Sequence, residues 1–205
     1  MTESILLVLA LSLDAFVASI AYGTNKIKIP FISVAIINIA CSSVLAFSLF
    51  LGSIVKKIIP VNITSVFSFL ILLVLGVFYL FQSLIKAYIT KPSNQNKEVQ
   101  LKMSDLIINI YVDETSADFD NSKDLNPKEA IYLAIALSLD SLAVGFGSSL
   151  GNINYIQVIL FSLFWGMMAI WLGVFIGKKF AEKLNINISW LSGVLLMILA
   201  IKNLI

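Results

Sequence analysis

The sequence predicts an all-α polytopic membrane protein whose six transmembrane helices form two inverted three-helix repeats. Three observations carry that expectation. The chain is 59% hydrophobic over 205 residues, with a mean hydropathy of +0.96, far above a soluble globular domain. Its apolar runs are long enough to cross a hydrocarbon core of about 30 Å, which takes ~17–25 helical residues. The phrase Ala10-Leu11-Ser12-Leu13-Asp14 returns as Ala136-Leu137-Ser138-Leu139-Asp140, in the first apolar run of each half. Three helices per copy make the second copy enter the membrane from the opposite face.

Helix 1 is predicted from about Ile5 to Tyr22, and Gly23-Thr24-Asn25 with Pro30 turn the chain into helix 2, about Phe31 to Val55. Pro60-Val61-Asn62 breaks the chain again, and helix 3 follows from about Ile63 to Ile85. Residues 86–129 are polar, with eight acids and six lysines, and separate a first repeat (1–85) from a second (130–205). Helix 4 is expected from Ala130 to Leu150, helix 5 from Tyr155 to Gly177, and helix 6 from about Leu184 to the end, where Asn185 and Lys202 blur its limits. Helices 2 and 5 share an ending, Leu51-Gly52 before Lys56-Lys57 and Leu172-Gly173 before Lys178-Lys179.

Lysines set the orientation. Lys26, Lys28, Lys86, Lys91, Lys97, Lys102, Lys123, Lys128, Lys178, Lys179 and Lys183 fall on one side, with only Lys56, Lys57 and Lys202 on the other. The positive-inside rule puts the linker in the cytoplasm and both termini outside, in a multi-pass plasma-membrane protein. The first run is not a cleaved leader, because it lacks a basic start and carries an aspartate in its centre.

Composition narrows the chemistry. There is no histidine, and the one cysteine, Cys41, lies in an apolar run, so neither a disulfide framework nor a Cys/His zinc cluster is available. A net charge of +2 gives no sign of nucleic-acid binding. No Walker, Rossmann or Ser/His arrangement is present, and no organic cofactor is implied. The lipid bilayer is the surrounding partner; an oligomeric partner is not legible.

A carboxylate in mid-membrane costs roughly 2.5–3.5 kcal/mol on insertion scales and marks a functional site by default. At helical spacing Asp14 shares a face with Ala10, Ala18 and Ala21, and Asp140 with Ala136, Ala143, Val144 and Gly147. Such small residues let another helix approach, so both acids should face the bundle interior. The bland alternative is a pair of buried hydrogen-bonding posts. Helix 2 adds Asn38, Cys41, Ser42 and Ser43; Asn38 and Ser42 lie four apart on one face and offer an amide oxygen and a hydroxyl, or else simply hold helices together. Ser162 and the Trp165-Gly166-Met167-Met168 run stand in helix 5, where a thioether could favour a transition metal but more often packs. Oxygen ligands suit Mn²⁺, Mg²⁺ or Ca²⁺. Two close carboxylates repel, so protons can replace the metal, a route to proton/metal exchange.

The motifs Ser12-Leu13-Asp14-Ala15-Phe16 and Ser138-Leu139-Asp140-Ser141-Leu142-Ala143-Val144-Gly145 resemble the manganese efflux pump family MntP, within the LysE-type superfamily of small exporters. The length, polar linker and acidic run are most similar to the sporulation membrane protein branch of that family. The resemblance covers essentially the whole chain. It implies six helices, with the helix 1 and helix 4 aspartates, here Asp14 and Asp140, at the transport site, and Mn²⁺ as the leading divalent cation substrate.

The linker carries a second pattern. Asp118, Asp120, Ser122, Asp124, Asn126 and Glu129 occupy positions 1, 3, 5, 7, 9 and 12 of an EF-hand-type Ca²⁺ loop, with Leu125 at the apolar position 8. Lys123 opposes it at position 6, where glycine usually makes the turn. The competing reading is a solvated acidic linker that enters helix 4 with Asn126 as N-cap and Pro127 in the first turn. A bound Ca²⁺ there could bias helix 4 as a sensor.

Three functions are therefore weighed: a secondary transporter, most simply an exporter, of a hard divalent cation; a non-transporting sporulation scaffold; and an intramembrane aspartyl protease. The last lacks the Gly-x-Gly-Asp of presenilin-type enzymes, since both acids follow Ser-Leu.

Overall fold

The computed structural model describes residues 2–58, 60–89, 110–111, 113–151, 153–179 and 189–204. Among them are six α-helices, α1 (Thr2–Thr24), α2 (Phe31–Ile58), α3 (Val61–Ile89), α4 (Pro127–Ser149), α5 (Tyr155–Lys179) and α6 (Ser189–Leu204), with a 3₁₀ turn at Glu114–Ala117 and no strand. Helices α1 and α3 run a few residues past both ends of the predicted stretches, and α2 and α5 past their C-terminal ends only, since polar residues continue a helix past the hydrocarbon stretch. Helix α4 starts three residues early and ends at Ser149, one short of Leu150. Both α3 and α4 therefore reach into the predicted linker. Leu184 and Asn185, Lys91, Lys97, Lys102 and Lys183 lie outside the described residues.

Residues Glu3–Thr24, Phe31–Ile58, Pro127–Ser149 and Tyr155–Lys179 are long and apolar enough to span a bilayer; in α3 the corresponding stretch is Val66–Phe78. Their outer faces carry exposed Phe31, Phe47, Phe50, Ile135, Leu139, Phe164, Trp171 and Phe175. Apolar surface on this scale needs lipid to cover it. This is a multi-pass membrane protein.

Every extensive helix contact among the described residues joins one half of the chain to the other. The main pairs are α1 with α5, α2 with α4, and α3 with α6, and smaller contacts join α1 to α6 and α3 to α4. Glycines fix how close the first two pairs come. A Cβ on Gly173 would lie 2.6 Å from the Phe16 carbonyl oxygen, and one on Gly23 would lie 2.6 Å from that of Val174. On the other pair, Gly52 meets Ser149, and Gly145 meets Leu45 and Ser48. Residue numbers rise together along both seams, so α1 runs parallel to α5, and α2 to α4.

One end of the bundle gathers the lysines. Gly23, just before Lys26 and Lys28, lies against Gly177 and Lys178, and Lys28 pairs with the linker through Lys28 N to Lys123 O (2.8 Å) and Leu125 N to Lys28 O (2.9 Å). The opposite end carries Lys56, whose Nζ donates to the Gly151 carbonyl at 2.5 Å. Two apolar clusters fill the interior, one around Leu7, Val8, Leu45, Leu72 and Leu199, the other around Tyr22, Ile37, Leu125, Leu133 and Ile170 on the linker side.

Candidate functional site

On α4, Ile131, Ile135, Leu139 and Leu142 turn outward while Ser138 and Ser141 are buried; on α1, Leu7, Val8 and Ala18 are buried. Asp14 and Asp140 line one cavity of about 50 Å³, which also receives Asn38, Cys41 and Ser42 from α2 and Ser162 and Gly166 from α5. A water needs roughly 10–15 Å³ of such space, so an ion with part of its hydration shell fits. The lining also includes Val8 and Leu45 of one apolar cluster and Ile37 and Ile170 of the other. The cavity is therefore a polar layer between two apolar ones.

The auxiliary groups are held across the α2–α5 contact. Asn38 Nδ2 donates to the Leu163 carbonyl at 2.6 Å, which orients its amide oxygen as the remaining acceptor. That oxygen sits against Gly166, where a Cβ would overlap it. The hydroxyls of Ser42 and Ser162 pair at 3.3 Å. Cys41 Sγ lies 3.8 Å from the Ala134 carbonyl.

Not every polar residue predicted for the site reaches it. Ser43 is exposed and donates to its own helix at Ile39, since it lies one residue off the Asn38–Ser42 face. Met167 packs against the linker-side cluster and Met168 is exposed, so neither thioether lines the cavity. Ser12 and Ser141 do line it; both stand in the motifs, but the aspartates drew the attention there.

A second space of about 10 Å³ adjoins the aspartates on the linker side, lined by Asp14, Ile110, Tyr111, Glu114, Ala136, Leu137 and Asp140. Tyr111 Oη donates to Asp140 Oδ1 at 3.1 Å. Sequence reasoning missed this residue because the linker reads as polar. The signal was the apolar run Leu106-Ile107-Ile108-Asn109-Ile110-Tyr111-Val112 inside it.

The acidic loop lies apart from the cavity. Ligand oxygens of Asp118, Asp120 and Glu129 lie within 4.8 Å of one another, and Lys123 adopts the left-handed backbone expected at position 6, with φ 59°. Leu125 is fully buried, and its backbone N donates to the Lys28 carbonyl at 2.9 Å, one of the two bonds of the β-bridge between Lys28 and Asp124. Asp124 is outside the trio, and the Ser122 hydroxyl donates to the Asp124 carbonyl at 3.0 Å. The same Glu129 serves the helix start, accepting from Asn126 N at 2.8 Å and Phe119 N at 3.0 Å, with Pro127 in the first turn. Donation by the Ser122 side chain and backbone holds the Asp120 carboxyl below its ordinary range.

Comparison with known proteins bears on the whole chain. Residues 61–204 match the family described as "Putative manganese efflux pump". The "Probable sporulation protein YtaF" of Bacillus subtilis (strain 168) is 30% identical over 218 residues, covering 100% of this chain and 99% of that one. The "Putative manganese efflux pump MntP" of Aliarcobacter butzleri (strain RM4018) is 25% identical over 208 residues, with 100% and 99% covered. A "Putative manganese efflux pump MntP 2" of Clostridium botulinum (strain Hall) is 34% identical over 94 residues, 45% of this chain and 47% of that one. No solved structure matches. With the family match over most of its length and an end-to-end relative, the chain belongs to the manganese efflux pump family.

Proposed function

We propose that the protein is a secondary exporter of a hard divalent cation, with Mn²⁺ as the favoured cargo, and that Asp14 and Asp140 hold the ion together with Asn38 and Ser42. The observation that carries this reading is the shared cavity, in which both carboxylates, an amide and hydroxyls converge between two apolar layers. Two carboxylates balance the charge of one divalent ion. Protonating both in its absence keeps the site neutral, so exchange of two protons for one Mn²⁺ is the coupling we expect.

The helix arrangement supports an inverted repeat. Exchanging α1, α2 and α3 with α4, α5 and α6 turns the α1–α5 pair into the α4–α2 pair and α3–α6 into itself, as the contacts require. Lysines at the linker end support a cytoplasmic linker and outward termini. Lipid is the only further partner invoked.

Transport in proteoliposomes tests the reading. Wild-type protein is expected to move Mn²⁺ against an imposed pH gradient, and Asp14→Asn or Asp140→Asn to lower the rate by at least about tenfold. If the protein is instead a sporulation scaffold, wild type and both variants move equally little Mn²⁺.

A second ion site is proposed in the linker, favoured by the close oxygens of Asp118, Asp120 and Glu129 and the left-handed Lys123. Ser122 and Asp124 would complete the Ca²⁺ loop. Calorimetric titration of the full chain in detergent is expected to show Ca²⁺ binding that Asp120→Asn removes. No heat at millimolar Ca²⁺ would leave Glu129 as a helix cap alone.

A further inference from the structure

We propose that Tyr111 is a positioning residue for the ion site, holding the Asp140 carboxylate from the linker side. This rests on the cavity being the place where the cation is bound. The contact is Tyr111 Oη donating to Asp140 Oδ1 at 3.1 Å. A carboxylate has about four lone-pair positions, so one donated hydrogen bond leaves ample capacity for a cation. Carboxylates that ligate metals depend on such outer partners for their orientation, and removal of one typically costs 10–100-fold in affinity.

The phenol is delivered by a fastened segment rather than a loose one. Ile110 beside it is fully buried in the linker-side cluster with Tyr22 and Leu125. Tyr22 Oη, on the last turns of α1, donates to the Glu114 carbonyl at 2.5 Å. Asp113 caps the short 3₁₀ turn by accepting from Thr115 N at 3.1 Å and its hydroxyl at 2.7 Å. Downstream, Lys28 clamps the same segment through Lys123 and Leu125. Two tyrosines thus tie the linker to the two aspartate-bearing helices, Tyr111 through the Asp140 carboxylate and Tyr22 through the Glu114 carbonyl.

The plain alternative is a tyrosine that fills space with its ring. Tyr111→Phe separates the two, because it keeps the ring and removes the hydroxyl; Tyr132→Phe is the control, since Tyr132 makes an edge contact with Phe119 and lines neither space. Full-length protein is reconstituted in phospholipid vesicles, Mn²⁺ uptake is measured over a range of Mn²⁺ concentration, and Mn²⁺ binding is titrated in detergent. Tyr111→Phe is expected to raise KM and the binding constant for dissociation roughly tenfold while Vmax stays within about twofold and the melting temperature is unchanged. Tyr132→Phe should match wild type. Wild-type KM in Tyr111→Phe, tighter Mn²⁺ binding, or a fall in Vmax at constant KM would each overturn the proposal while leaving the cavity assignment standing. If Asp14→Asn and Asp140→Asn bind Mn²⁺ as wild type does, the cavity assignment itself fails, and this inference with it.

Discussion

Gly166 decides whether Asn38 can serve the cavity. The amide oxygen of Asn38 occupies the volume that any side chain at position 166 would need, and its nitrogen is already committed to the Leu163 carbonyl. Gly166→Ala is therefore expected to push the amide aside while leaving the aspartates in place, weakening Mn²⁺ binding about tenfold, the worth of one ligand interaction with a charged group. A titration showing unchanged affinity would remove Asn38 from the ligand set. The aspartates, Asn38 and Ser42 were legible as candidates because helical periodicity places them on inward faces, and an acid in an apolar run has few other uses. Tyr111 was not, since the only sign of it was an apolar run inside a polar linker, and local spacing does not say which helix such a run will meet.

At the scale of elements, the seams matter more than the spans. Six helices could be read from the apolar runs, and six are present, four of them long and apolar enough among the described residues to span a bilayer. Their partners could not be read, because lipid-facing and helix-facing leucines look alike in sequence. Small residues hinted at the answer. Gly177 stands where a Cβ would overlap the Ile20 carbonyl oxygen and press on Gly23, so α1 and α5 touch backbone to backbone. Gly177→Val should force the pair apart and destabilise the protein by about 1–3 kcal/mol, the usual cost of overpacking. Thermal melting in detergent checks this, and the lysine-bearing end should loosen first. In the acidic loop the Lys123 backbone takes a left-handed turn, at φ 59°, the conformation for which glycine is usual, while its positive charge still stands against a cation there.

On the scale of the whole molecule, among the described residues α1, α2 and α3 make no extensive contact with one another, and nor do α4, α5 and α6. Helices α1, α2 and α3 find their main partners in α5, α4 and α6. Two chains cut between residues 89 and 110 are expected to give a monodisperse complex only when produced together, and each alone should aggregate or be degraded; size-exclusion chromatography of the three preparations decides it. Composition announced a membrane protein at once, but this exchange of partners between halves belongs to tertiary structure and has no composition. It also fixes an order of events. The first three helices leave the ribosome with their glycine seams facing lipid and no wall opposite Asp14, for α4 and α5 supply Asp140, Ser162 and Gly166. If the cavity is the ion site proposed above, a nascent chain is expected to lack a complete site until α4 and α5 have been added.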